Sequence, residues 1–183
     1  MRLKDNADFS KTDDMKFTYF LLALITFTAN AQQKEELNWD EARINGKLEL
    51  TISKRDFEHI YKKADKIVTP DYTDICGADQ DSNFQYYYYK DLKYELDNGI
   101  MNFMKITFSK KSTFFFTYKG KKLNGTTKLE DLKSLFPEAV ISVDKNAKEN
   151  GFLVASGIAL DDNLWSFTFK NGLLVSIEYF VQC

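Results

Sequence analysis

Residues Asn83–Phe108 read NFQYYYYKDLKYELDNGIMNFMKITF. Aromatic, β-branched and long apolar residues dominate the stretch, and Asn98-Gly99 interrupts it with the strongest short hairpin signal a sequence carries. It therefore reads as three antiparallel strands, about Phe84–Tyr89, Leu92–Leu96 and Met101–Phe108, with a turn at Lys90-Asp91. Successive side chains of a strand point to opposite faces. Four consecutive tyrosines thus put rings on both sides of the sheet, Tyr86 and Tyr88 on one and Tyr87 and Tyr89 on the other. A small domain usually buries one face, so the second face needs an account.

A later stretch repeats the layout. Asn171-Gly172 sits between the expected strands Leu164–Phe169 and Leu173–Val181, preceded by Phe152–Leu160 and a turn at Asp161-Asp162. Upstream of each hairpin lies a helix-opening signature, Ser53-Lys54-Arg55-Asp56 and Thr127-Lys128-Leu129-Glu130. In such a capping box a hydroxyl and a carboxylate satisfy free backbone donors. Phe57, Ile60, Tyr61 and Ala64 then follow helical spacing, as do Leu129, Leu132, Leu135 and Phe136, and Pro137 ends the second helix. Strands at about Ala42–Leu50 and Thr113–Tyr118 open the two copies, and loops Thr69–Asn83 and Ile141–Gly151 link each helix to its sheet. The expectation is an α+β fold of two tandem β-α-β-β-β units, residues 32–110 and 111–183, each an antiparallel sheet with one helix packed on one face. The alternatives are one compact domain and a chance likeness of two hairpin-containing stretches.

This duplicated plan resembles the beta-lactamase inhibitory protein family and the related fold of small outer-membrane assembly lipoproteins. Separately, INGK (Ile44–Lys47) leading to a helix and hairpins, followed by FTYKGKKL (Phe116–Leu123), is similar to uncharacterised bacterial domains that often accompany toxin systems. The likeness covers most of Arg43–Phe180 and is one of plan and spacing, so no functional residue is carried over. It implies a binder that presents an aromatic-rich sheet face to a protein target.

The chain's start reads as a targeting segment. Met15-Lys16 precedes an apolar run from Phe17 to about Phe27, and Ala29-Asn30-Ala31 follows. A positive residue, an apolar core and an A-x-A site define a cleaved signal peptide. The run is shorter than the roughly 20 residues of a membrane span; a buried core helix is the other reading. Residues 1–14, MRLKDNADFSKTDD, are acidic where a signal wants positive charge, so they read as a leader added by a misplaced start. The expected signal peptide is 15–31 and the mature chain begins at Gln32, in the periplasm or outside the cell. No cysteine follows the cleavage site directly, which speaks against a lipid anchor. In an oxidising compartment Cys76 and Cys183 are a candidate disulfide. It would close a loop of about a hundred residues, for roughly 4–5 kcal/mol in the chain-entropy picture. Two unpaired thiols are the alternative.

No catalytic constellation is legible. His59 lies on the first helix with no nucleophile motif nearby and reads as a surface side chain. Asp79, Asp81 and Asn83 have the spacing that opens a calcium loop, but Phe84 stands where glycine is needed and Lys90 where glutamate is. Glu130-Asp131 and Asp161-Asp162 fit a helix start and a turn. Neither a metal site nor a cofactor is expected. A formal net charge of −2 with interspersed signs gives no footprint for nucleic acid, and the lysine runs at 109–112 and 119–122 read as solvated hairpin ends.

Strict alternation puts Met104, Ile106 and Phe108 on one face and Phe103 with Lys105 and Thr107 on the other. The candidate partner surface is therefore one of the tyrosine pairs among Tyr86, Tyr87, Tyr88 and Tyr89, together with Phe103, Phe115 and Phe180. Three readings of such rings stay open: sheet propensity alone, packing of the two copies on one another, and partner binding. The functional expectation is a secreted, non-enzymatic module that binds another envelope or secreted protein, inhibitor- or immunity-like. An envelope assembly factor and a hydrolase with an unrecognised site are the competing classes.

Overall fold

The computed structural model describes residues 36–61, 63–75, 78, 82–144, 149–156 and 163–180. The targeting segment, Cys76, Cys183, Asp79, Asp81 and Asp161-Asp162 lie outside them. In chain order the elements begin with β1 (Glu36–Leu37), β2 (Arg43–Ile44), β3 (Leu48–Glu49), β4 (Thr51–Ser53) and α1 (Lys54–Ile60). Then come β5 (Lys66–Val68), β6 (Gln85–Tyr89), β7 (Leu92–Asp97) and β8 (Ile100–Thr107). The second half runs β9 (Phe116–Tyr118), β10 (Lys121–Leu123), α2 (Leu129–Leu135), β11 (Val140–Asp144), β12 (Glu149–Ser156), β13 (Leu164–Lys170) and β14 (Leu173–Phe180).

Four of the hairpins turn on dipeptides of one kind. Asn45-Gly46, Asn98-Gly99, Lys119-Gly120 and Asn171-Gly172 all have positive φ at both residues, from 46° at Lys119 to 82° at Gly99. That is the type I′ pattern, whose twist matches that of paired antiparallel strands. The turns close β2 on β3, β7 on β8, β9 on β10 and β13 on β14. The segment expected as a single strand, Ala42–Leu50, folds back on itself at Asn45-Gly46. Likewise β5 and β11 form at the edges of segments expected as loops.

Two meanders, β5–β8 and β11–β14, join edge to edge. β8 pairs antiparallel with β14, placing Lys105 opposite Glu178, Ile106 opposite Ile177 and Thr107 opposite Ser176. β4 pairs with the other half of β8, and β1 pairs parallel with the end of β12, completing a ten-stranded mixed sheet. The two hairpins β2–β3 and β9–β10 form a separate four-stranded antiparallel sheet in the order β10-β9-β2-β3.

The core lies between the sheets. From the large sheet come Tyr87, Tyr89, Tyr94, Phe103, Phe152, Trp165 and Phe167, and from the small one Ile44, Leu48, Phe116, Tyr118 and Leu123. Phe103 stacks on Trp165 at 5.8 Å, and Phe116 meets Trp165 edge-on at 5.7 Å. Such aromatic pairs add about 0.5–1.5 kcal/mol each beyond the area they bury. Tyr118 stacks on Phe136 at 5.6 Å and donates its hydroxyl proton to the Glu36 carbonyl, tying β1 to the small sheet.

The α+β class with two tandem helix-packed units is not what forms. The protein is mostly β, with one large mixed sheet shared by both halves, and α1 and α2 are seven residues each. The helical spacing that runs on to Ala64 is cut at Tyr61, whose φ of −123° has left the helix, while the segment after Leu135 turns at Pro137-Glu138. Two turns of helix bury one side chain each, Phe57 and Leu132. The small sheet covers much of what the helices leave. Ser53 caps α1 as its sequence suggests, accepting from the Asp56 N–H at 3.1 Å. The second cap sits one residue later than expected. Asp131 accepts from the Lys128 N–H at 2.9 Å, and Thr127 instead receives the Asn124 N–H.

Candidate functional site

A bulge decides which side chains face out. Tyr94 pairs with Phe103 but Lys93 pairs with Lys105, so Met104 is an extra residue in β8. An extra residue breaks the two-residue alternation, and Phe103 and Ile106 consequently share the buried face. Phe103 therefore leaves the candidate surface and belongs to the core. A second bulge, between Thr168 and Phe169, makes Val175 the extra residue of β14.

With these registers the outer face of the large sheet can be read off row by row. Val68, Tyr86, Glu95 and Asn102 form one row across β5, β6, β7 and β8. Lys66, Tyr88, Lys93, Lys105, Glu178 and Ser166 form the next, crossing the seam into β14 and β13. Lys66 is exposed and the other residues of these rows are half-buried. Lys93 Nζ lies 3.6 Å from the centroid of the Tyr86 ring, and Lys66 Nζ 5.8 Å from that of Tyr88. Phe84 extends the aromatic group, 5.7 Å from Tyr86 and 5.0 Å from Tyr72, whose hydroxyl donates to the Phe84 carbonyl. Lys105 and Glu178 close an ion pair at 2.7 Å.

The electrostatics follow from partial burial. Burial raises the Glu95 carboxyl above the usual carboxylate range, Asp97 beside it adds to the rise, and Lys93 opposes it. Burial also lowers the Lys93 ammonium, against the pull of Glu178 and Glu95. The Tyr86 hydroxyl is raised by burial first, then by Glu95. These charged groups are already partly stripped of water, as expected where charge sits among aromatic rings.

The other expected surface residues do not gather here. Tyr87 and Tyr89 are 5% and 4% exposed and belong to the core. Tyr86 and Tyr88 stand on the outer face of the large sheet. Phe180 is 51% exposed, near the far end of that face, opposite Leu164. Phe115 lies beside β9 on the small sheet, under the Lys122 ammonium at 4.0 Å. His59 is exposed on α1, and Glu130 and Asp131 are exposed at the start of α2. Among the described residues no three His, Cys, Asp or Glu side chains group as metal ligands, and no helix is long and apolar enough to cross a membrane.

Lys93 and Glu95 were missed from the sequence as members of this face. The signal was present in LKYELD (Leu92–Asp97), where buried and charged positions alternate. Folding the Lys90-Asp91 turn would have set Tyr86 and Tyr88 beside its charged positions. Compared with known proteins, the chain matches no family model, no curated protein and no solved structure.

Proposed function

We propose that the protein is an exported, non-enzymatic protein-binding module of the cell envelope, inhibitor- or immunity-like, whose partner docks on the outer face around Tyr86 and Tyr88. One observation carries this reading: two tyrosines in register with Lys93 and Glu95, their rings flanked by lysines, on a face the small sheet does not cover. Tyrosine is enriched among residues that dominate binding energy, because it offers a large rigid contact with a polar tip. Charges already partly desolvated cost less to bring into an interface, and their fixed order selects partners by complementarity. Export rests on the Met15–Ala31 segment of the sequence.

The test is capture from an envelope fraction by the mature chain, run in parallel with Tyr86→Ala/Tyr88→Ala. A partner held by the native chain and released by the variant supports the reading. A partner held equally by both, or none at all, removes it.

A further inference from the structure

The two lysine-bearing turns that read as solvated hairpin ends contribute to a pocket. A cavity of about 420 Å3 opens where the small sheet meets the 108–113 segment and the turn at 124–126. Lys110 and Lys122 both line it, and among the described residues that line it there is no Asp or Glu. That is notable in a chain whose acidic residues outnumber its basic ones, 27 to 25.

Its polar groups present mainly protons. Asn124 Oδ1 accepts from both the N–H and the hydroxyl of Thr126, at 2.9 and 2.7 Å, which leaves the Asn124 amide nitrogen to donate. Ser112 Oγ accepts from the Phe114 N–H at 3.3 Å, so its own proton is free for a ligand. Thr113 adds a further hydroxyl. Ser109 is the exception, because its proton goes to Asp91, a carboxylate one hydrogen bond behind the lining. The Phe115 ring holds the Lys122 ammonium at 4.0 Å and fixes it at the wall. Two cations, an amide and two hydroxyls, with no carboxylate among the described lining residues, disfavour a metal cation and favour an oxyanion.

We propose that this pocket binds a compact oxyanion, a phosphate, sulfate or carboxylate group, between Lys110 and Lys122. The site is separate from the outer face around Tyr86 and stands or falls independently of it.

Isothermal titration of the full chain with inorganic phosphate, sulfate and citrate, at constant ionic strength set with chloride, tests the site. Saturable binding of at least one of them is expected, weakened at least tenfold in Lys110→Gln/Lys122→Gln and unchanged in Lys121→Gln, which lies on the same strand outside the pocket. Thr113→Glu places a carboxylate in the pocket without touching a lysine and gives the same loss, which keeps the test open should the double variant fold poorly. No saturable binding of any of the three anions overturns the proposal. So does an equal loss in Lys121→Gln, because it reports diffuse charge instead of a site.

Discussion

Lys105 and Glu178 meet at 2.7 Å across the seam between β8 and β14, while Ile106 and Ile177 meet on the opposite face of the same seam. The two pairs hold the halves together very unequally. Both charged side chains are more than a third exposed, and an ion pair of that kind contributes about 0–1 kcal/mol. Ile106 and Ile177 are fully buried, and truncating such a residue to alanine costs about 2–5 kcal/mol. In urea denaturation Ile177→Ala should therefore lower stability by several times the change seen in Lys105→Ala. Equal losses would mean that the seam is held by charge.

The tyrosine tetrad gives a matched comparison within five residues. Tyr87→Ala and Tyr89→Ala each empty core volume and should each cost about 3–5 kcal/mol, the range for large aromatic truncations. Tyr86→Ala and Tyr88→Ala leave the core intact and should each cost about 1 kcal/mol or less. Thermal or chemical denaturation of the four single variants reads the contrast directly.

Much of the local structure was legible. Asn98-Gly99 and Asn171-Gly172 mark hairpins because few other residue pairs tolerate two successive left-handed conformations, and Ser53 and Asp56 mark the start of α1. The layers were not legible, for three physical reasons. A bulge at Met104 moves Phe103 to the face that alternation denies it, and no side-chain type announces a bulge. Asn45-Gly46 carries the same turn signal, but the strands around it are two residues long and read as one longer strand, and beyond the hairpin end at Lys119-Gly120 the three residues of β10 are too short to read as a strand. Edge pairing of β8 with β14 spans some seventy residues of chain, and local pattern carries no trace of it.

The Tyr94 hydroxyl is fully buried and has no hydrogen-bond partner among the described residues, its ring packed against Phe57 and Phe103. An unsatisfied buried hydroxyl costs about 1–3 kcal/mol in lost hydration. Tyr94→Phe should then leave the protein as stable as the parent or more stable, by up to about that amount. A clear loss of stability in this variant would show that the hydroxyl is bonded in solution.

Burial also sets an alkaline limit. It pushes the Tyr89 hydroxyl up to about 12 and raises that of Tyr94 well above its ordinary value. An unfolded tyrosine ionises near pH 10. Between these values the unfolded chain releases protons that the folded one keeps, so stability is complete below about pH 10 and falls as pH rises toward 12. Glu95 acts in the same sense at lower pH. Its raised carboxyl makes stability fall as pH rises through the interval above the ordinary carboxylate value, and Glu95→Gln should remove that slope. Melting temperatures measured across pH 4–7 and 9–12 check both windows.

The outer face is the central claim, and the affinity of the captured partner for single-site variants tests it most directly. Titration by surface plasmon resonance should show Tyr86→Ala or Tyr88→Ala weakening binding by at least tenfold, about 1.4 kcal/mol, with melting temperatures close to the parent. Phe115→Ala, on the other sheet, should bind as the parent does. Unchanged affinity in both tyrosine variants, or an equal loss in Phe115→Ala, would contradict the assignment of this face.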